Sequence, residues 1–111
     1  MKDAEKLEIL FQILGDVNRL KIIKFIGNES KSVSEIVSFT NLSQPLVSHH
    51  LRILRENFIL ETDRKGPFVY YSLTEPSILD AIGVFLKLAG NMDTSYRVRS
   101  MFVCPPWWKM E

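Results

Sequence analysis

The stretch at residues 42–54 reads LSQPLVSHHLRIL, and it contains both histidines of the chain. Ser43 is the kind of residue that caps the N-terminus of a helix, because its side-chain oxygen can accept a backbone N–H of the first turn. Pro45 fits that first turn, where a residue needs no N–H of its own. These two residues predict a helix that begins near residue 44 and runs to about residue 56.

The two histidines lie on different sides of this helix, because successive helical residues are about 100° apart. His50 belongs to an apolar side, which we expect to face the core with the histidine packed and hydrogen-bonded. That side consists of Val47, His50, Leu51 and Leu54. Since neighbouring residues of a helix do not face each other, His49 and His50 are not expected to bind one metal ion together or to act as a catalytic pair.

The opposite side of the helix carries residue types that read DNA. Glutamine pairs with adenine and arginine with guanine in the major groove, whereas serine is less selective. A merely solvated polar face is the alternative interpretation of the same pattern. The residues that we predict to contact DNA from this helix and its cap are Ser43, Gln44, Pro45, Ser48, His49 and Arg52.

The residues before this helix predict a shorter helix and a tight turn. In the stretch SVSE at residues 32–35, Ser32 and Glu35 fit a capping box. A helix over about residues 33–39 follows. The residues that it is expected to bury are Val33, Ile36 and Val37. Asn41, which tolerates a left-handed backbone, fits the turn TNLS between the two helices.

Two more amphipathic helices are predicted nearer the N-terminus. Apolar residues form one stripe along residues 3–14, and two isoleucines widen it beyond what a small core needs, so that part of it can face a partner. The stripe consists of Leu7, Leu10, Phe11 and Leu14, and the isoleucines are Ile9 and Ile13. Gly15 ends this helix and Asp16 caps the next one. The residues that the next helix, VNRLKIIKFI, is expected to bury are Leu20, Ile23 and Ile26 or their neighbours.

After the central helix the pattern changes to that of β-strands. FILETDR and FVYYSLT are rich in β-branched and aromatic residues, and the KGP between them predicts a hairpin that turns near Gly66. Arg64 and Lys65 at the hairpin tip are predicted to contact DNA phosphates or the minor groove. A very apolar helix, EPSILDAIGVFLKLAG, follows. The order of four helices, two strands and a helix predicts a mostly α-helical fold with a β-hairpin wing, the winged helix-turn-helix.

Composition indicates a small globular protein with one core, since the chain has 111 residues, 46% of them hydrophobic and 24% charged. The net charge of +1 means that DNA binding must depend on a local patch. A single cysteine, Cys104, and the lack of a membrane-spanning apolar run predict a protein of the reducing cytoplasm that contacts no membrane. The sequence shows no glycine-rich phosphate loop and no paired carboxylates with a nearby base, so we expect neither enzyme activity nor a cofactor.

Three stretches of the chain resemble one family of proteins. They are LGDVNRLKIIKFI (14–26), LSQPLVSHHLRILRENFI (42–59) and GPFVYYSLT (66–74). The family is the ArsR-type (ArsR/SmtB) group of small prokaryotic transcriptional regulators. The resemblance implies a homodimer through the first and last helices, an inverted-repeat operator in double-stranded DNA, and repression that an effector relieves. It places a DNA-binding and dimerisation domain in residues 1–90 and a tail in residues 91–111, and it implies a structural ion pair or a phosphate contact for Arg19.

The chain departs from the family where relatives bind metals. Many relatives carry a Cys-Val-Cys motif before the recognition helix, whereas this chain has Ser32, Val33 and Ser34 there, and serine hydroxyls do not hold arsenite or cadmium. Other relatives bind zinc or nickel through aspartate and histidine pairs across the last helix. That helix offers only Asp80 here. We therefore expect no metal at either place, and the effector, a small molecule or a redox signal, stays unidentified.

The tail MFVCPPWWKME at residues 101–111 admits several interpretations. Trp107 and Trp108 can cover apolar surface across a dimer, or line a pocket for a small organic ligand. Cys104 can be a redox or electrophile sensor, which requires an exposed and activated thiol. The Cys-Pro pair also occurs in some haem-regulated proteins, where the thiolate binds iron.

The alternative to a DNA-binding regulator is a winged-helix module that uses the same face for a protein partner. Such a module predicts binding with little salt dependence and no preference for duplex DNA.

Overall fold

The elements follow one another in the predicted order, with one additional short strand. The structure is a computed structural model that describes residues 2–91. Its helices are α1 (Asp3–Leu14), α2 (Val17–Ile26), α3 (Val33–Thr40), α4 (Gln44–Glu56) and α5 (Ile78–Gly90). Its strands are β1 (Lys31–Ser32), β2 (Leu60–Lys65) and β3 (Phe68–Leu73).

The predicted helix ends are confirmed at the caps of α1, α2 and α4. The backbone N–H of Gly15, the residue after α1, donates to the carbonyl of Phe11. Asp16 caps α2, since its carboxylate accepts the backbone N–H groups of Asn18 and Arg19. Ser43 caps α4 by accepting the N–H of Leu46 at 3.3 Å. Each cap satisfies a backbone group that the helix itself leaves without a partner.

The predicted helix-turn-helix geometry is confirmed in α3, α4 and the residues between them. Ser32 and Glu35 form the capping box at the start of α3, because each side chain bonds the backbone N–H of the other residue. Asn41 has the left-handed backbone that the turn requires, with φ of 59°. The short turn leaves α3 and α4 packed against each other.

Replacing Ser32 by alanine is expected to lower the free energy of unfolding by about 1 kcal/mol, since one N-cap acceptor is lost. Ser34→Ala is the matched control, because Ser34 is exposed in the same helix and its hydroxyl forms no bond with the residues that the structure describes. Urea unfolding followed by circular dichroism measures both variants. Equal losses for the two variants would contradict the capping role of Ser32.

The three strands form one antiparallel sheet in the order β1-β3-β2. Leu60 pairs with Leu73 at the base of the β2–β3 hairpin, and Lys65 pairs with Phe68 at its tip. Gly66 turns the chain with φ of 61°, a conformation that suits glycine. The strand β1 was not predicted, because two residues are too few to show the alternating pattern of a strand.

The core consists of isoleucines from α2 and α3, apolar residues of α4 and the base of the hairpin. Its fully or almost fully buried residues are Ile22, Ile23, Ile26, Ile36, Val47, Leu51, Leu54, Ile59, Leu60 and Leu73. In α2 the predicted Ile23 and Ile26 are buried, whereas Leu20 is half-buried and Ile22 takes its place. In α3 only Ile36 of the three predicted residues is fully buried, because an eight-residue helix presents a narrow side to the core.

The structure shows which part of the apolar stripe of α1 faces the core, a point that the sequence left open. Ile13, which we assigned to the widening of the stripe, is the residue that α1 buries. Leu10 and Leu14 are half-buried, and Leu7 is 49% exposed. The sequence pattern is apolar over so wide an arc that its periodicity alone does not fix which part faces the core. Leu7 and Ile9 leave part of the apolar surface of α1 exposed.

The chain divides into two compact units, one ending at Leu79 and the other beginning at Asp80. The second unit contains nearly all of α5, which has no fully buried residue. Its exposed apolar side chains include Val84, Leu86 and Leu88. Among the described residues, no helix is long and apolar enough to cross a membrane.

Candidate nucleic-acid interface

The polar side of α4 is exposed along its whole length. Gln44 and Pro45 form the first turn, directly after the cap Ser43. All six residues predicted from the sequence are exposed: Ser43, Gln44, Pro45, Ser48, His49 and Arg52. Pro45, Ser48, His49 and Arg52 share the side opposite the buried one, and Ser43 and Gln44 lie at the exposed N-terminal end of the helix, the end from which recognition helices contact base edges.

The opposite side of α4 is the predicted buried one. Val47, Leu51 and Leu54 are fully buried, and His50 is 5% exposed. The rings of His49 and His50 have their centroids 5.7 Å apart and are tilted by 58°. Since the two histidines point to different environments, they do not form a chelating pair. This confirms the prediction that one side of α4 packs into the core while the other side is exposed.

His50 is hydrogen-bonded inside the protein, as we predicted. The Nε of Arg19 donates to Nδ1 of His50 at 3.2 Å. The Nη1 of the same guanidinium donates to the backbone carbonyl of Ile13 at 3.1 Å. Of the two roles implied for Arg19, the structural one fits these bonds, but its partners are an imidazole and a carbonyl and not the carboxylate of an ion pair.

Two ionisable groups near this bond have shifted pKa values. Burial lowers the pKa of His50, the charge of Asp16 opposes that shift, and the charges of Arg19 and His49 add to it. Burial raises the pKa of Asp16, but the backbone N–H groups of Arg19 and Asn18 outweigh it and the pKa is lowered. Because burial lowers the pKa of His50 below its ordinary value, this histidine is mainly neutral at pH 7. Nδ1 of a neutral ring can accept the hydrogen bond from Arg19.

Arg52 is held only weakly within the protein. Its Nε lies 3.8 Å from a carboxylate oxygen of Glu56, one helical turn further on, and both side chains are largely exposed. An exposed pair of this kind contributes about 0–1 kcal/mol. Arg52 can therefore leave Glu56 for a base or a phosphate at little cost.

The hairpin tip presents two cations. Arg64 and Lys65 end β2 and are exposed, directly before Gly66. The ammonium of Lys65 lies 5.6 Å from the ring centre of Tyr70 on β3, close enough for a cation–π contact. Because β2 packs against α4, the base of the hairpin is anchored to the recognition helix. Phe68, exposed at the tip opposite Lys65, was not predicted and has no signal in the sequence that separates it from a core residue.

Metal-binding residues do not gather in the part of the chain that the structure describes. No group of three or more histidine, cysteine, aspartate or glutamate side chains is placed to hold a metal ion among residues 2–91. Ser32 bonds Glu35 through its hydroxyl. The predicted sensor Cys104, with Trp107 and Trp108, lies outside the described residues, and its role stays a prediction.

Comparisons with known proteins agree with this fold and identify the family. The family described as bacterial regulatory protein, arsR family, matches residues 16–59. The transcriptional repressor SdpR of Bacillus subtilis is 32% identical over 84 residues, which are 76% of this chain and 93% of that protein. The chain belongs to the arsR family of bacterial regulatory proteins. The match over residues 16–59 covers α2 and α4, including Arg19 and both histidines.

Solved structures of other regulators share the fold of this arsR-family chain. HlyU from Vibrio cholerae superposes with a TM-score of 0.70 at 28% identity, over 78% of this chain and 95% of that one. The homodimeric winged helix-turn-helix DNA-binding domain of Mb0332 from Mycobacterium bovis superposes with a TM-score of 0.71 at 17% identity, over 84% and 91%. The predicted winged helix-turn-helix is confirmed.

Proposed function

We propose that the chain is a homodimeric, sequence-specific DNA-binding regulator that represses transcription from an inverted-repeat operator until an effector releases it. The observation that carries the proposal is the division of α4 into a buried side and an exposed side of DNA-reading residue types. Membership of a family of transcriptional regulators supports the same function, and relatives such as SdpR are named as repressors.

A homodimer would give the two-fold symmetry that an inverted repeat matches. Exposed apolar residues support it on both terminal helices, with Leu7 and Ile9 on α1 and Leu86 and Leu88 on α5. Burial of such apolar surface between two chains would stabilise a dimer, because the surface is removed from water. Two recognition helices would then enter major grooves about 34 Å apart on one side of the duplex.

Selection from a library of random duplexes tests the proposal directly. We expect the selection to enrich a two-fold symmetric sequence, which we call the selected duplex. Sedimentation of its complex with the protein should give a mass that corresponds to two protein chains per duplex. Fluorescence anisotropy should show that affinity for the selected duplex decreases as salt increases, because cations of the protein displace counterions from phosphates. Failure to enrich any sequence, with no salt dependence, would favour the protein-interaction module.

Arg64→Ala and Lys65→Ala are each expected to weaken binding to all duplexes to a similar extent. Each change removes one cation from the hairpin tip, so the slope of log affinity against log salt should decrease in magnitude by about 1. Asp63→Asn is the control, since Asp63 is exposed on the same strand and loses a negative charge. It should strengthen binding slightly. A change of sequence preference at constant salt slope would show that these cations do not bind phosphates.

A further inference from the structure

Arg19 joins three helices through one side chain. It belongs to α2, its Nη1 donates to the carbonyl of Ile13 in the last turn of α1, and its Nε donates to Nδ1 of His50 on α4. Carbonyls in the last turn of a helix have no partner within that helix, so Arg19 satisfies one that α1 leaves. Within residues 2–91, no other side-chain hydrogen bond joins α4 to another helix.

The bond between Arg19 and His50 exists only while the imidazole is neutral. A neutral ring with its proton on Nε2 offers Nδ1 as an acceptor, whereas a protonated ring has donors on both nitrogens. The Nε of Arg19 and Nδ1 of His50 are 3.2 Å apart. Protonation of His50 would therefore place one N–H donor against another at this distance and bring two positive charges together. The carboxylate of Asp16 offsets part of this repulsion, and His49 adds to it. From α3 and β2, which also pack against α4, no charged group among the described residues acts on His50.

We propose that Arg19 and His50 are positioning residues for DNA binding, in which Arg19 holds neutral His50 so that α4 presents its exposed side at the angle the groove requires. Protonation of His50 releases that hold. This inference rests on the proposed function of α4 as the DNA-reading helix. It assigns an effect on DNA affinity to two residues that hydrogen-bond each other within the protein.

Folding favours the neutral form of His50, and this determines the direction in which pH changes both stability and DNA affinity. Because burial lowers the pKa of His50 in the folded protein, the folded state binds fewer protons than the unfolded state near the ordinary value of roughly 6.5. The stabilisation by neutral His50 is complete above that pH and is lost as the pH falls below it. DNA affinity is expected to decrease in the same direction.

A His49→Gln background isolates this effect. The chain has two histidines, so His50 then gives the only imidazole signal in an NMR titration. The change also removes the exposed imidazole from the side of α4 that we propose reads DNA. As the pH is lowered through the range in which the NMR signal shows His50 becoming protonated, the affinity of His49→Gln for the selected duplex should fall about fivefold or more, because the hydrogen bond from the charged Arg19 to His50 is lost.

Two further variants separate positioning from a purely structural role. His50→Asn in the same background retains an acceptor near the place of Nδ1 but does not titrate, so its affinity should vary less than about twofold over this range. Arg19→Met in that background keeps the alkyl stem without the donor and the charge. It should raise the pKa of His50 and lower the affinity at pH 7.5 about tenfold, as expected for loss of a hydrogen bond to a charged group.

The outcomes distinguish this inference from the proposed function. A flat affinity profile while the NMR signal shows His50 becoming protonated would overturn the positioning role, as would an Arg19→Met variant that lowers only the melting temperature. If the protein binds no duplex at all, the proposed function fails. Positioning is then decided by the protection of α4 amides from hydrogen exchange, taken relative to the intrinsic exchange rate at each pH. Protection should decrease as His50 is protonated, and protection that stays unchanged would refute the positioning role.

Discussion

Alanine at Ser48, His49 and Arg52 together is expected to lower affinity for the selected duplex at least about a hundredfold. The three side chains are exposed on the same side of α4, and each good contact to a base edge contributes about 1–3 kcal/mol of discrimination. Affinity for a random duplex should fall only severalfold, because a single formal positive charge is removed. The difference between the two decreases in affinity, for the selected and for the random duplex, measures how much sequence recognition the three side chains provide.

The same triple variant should fold normally. Alanine is the best helix former, and the buried side of α4, with Leu51 and Leu54, is unchanged. We expect a melting temperature within a few degrees of the unchanged protein, measured by circular dichroism at equal concentration.

Arg55→Ala is the matched control for charge. Arg55 is exposed on α4 but lies at the margin of the reading face, so its loss should weaken both duplexes to a similar, small extent. If Arg55→Ala reduced specific binding as strongly as the triple variant, the reading face would be wrongly placed. If the triple variant kept full preference for the selected duplex, α4 would not be the element that reads it.

The helix-turn-helix was predictable because its signals are local. The capping box at Ser32 and Glu35, the left-handed Asn41 and the cap at Ser43 each depend on residues a few positions apart. Such contacts form within one or two helical turns, so a sequence pattern describes them completely. The division of α4 into two sides follows from the helical repeat alone.

The partner of His50 was not predictable from the same signals. Arg19 and His50 are separated by 31 residues, and only the packing of α2 on α4 brings them together. Arg19 was singled out by a family resemblance, which left an ion pair and a phosphate contact as alternatives. Neither alternative named an imidazole, because no periodicity connects residues on two different helices.

The orientation of α1 shows the same limit in another form. An arc that includes Leu7, Ile9 and Ile13 is apolar over most of its width, and a hydrophobic stripe wider than the available core has more than one way to pack. Burial of Ile13 in preference to Leu7 is set by the surface that α1 meets. A surplus of exposed apolar side chains on α1 is what a dimerisation helix would require.

Leu54→Ala is expected to have one of the largest effects on stability of any alanine substitution in α4. Leu54 is fully buried, and α4, to which it belongs, packs against α2, α3 and β2. Truncating a buried leucine costs about 2–5 kcal/mol, because transfer free energy is lost and the cavity closes only in part. For a domain of this size, that corresponds to a fall in melting temperature of about 10 °C or more.

Leu46→Ala makes the same chemical change on the same helix at a side chain that is 38% exposed, and should cost less than about 1 kcal/mol. Both variants should be compared at one protein concentration, since the melting temperature of a dimer depends on it. Equal losses for the two would contradict the docking of α4. At a temperature where Leu54→Ala is still folded, its affinity for the selected duplex should be nearly unchanged, because the exposed residues of α4 and the bond between Arg19 and His50 that we propose positions them are both retained.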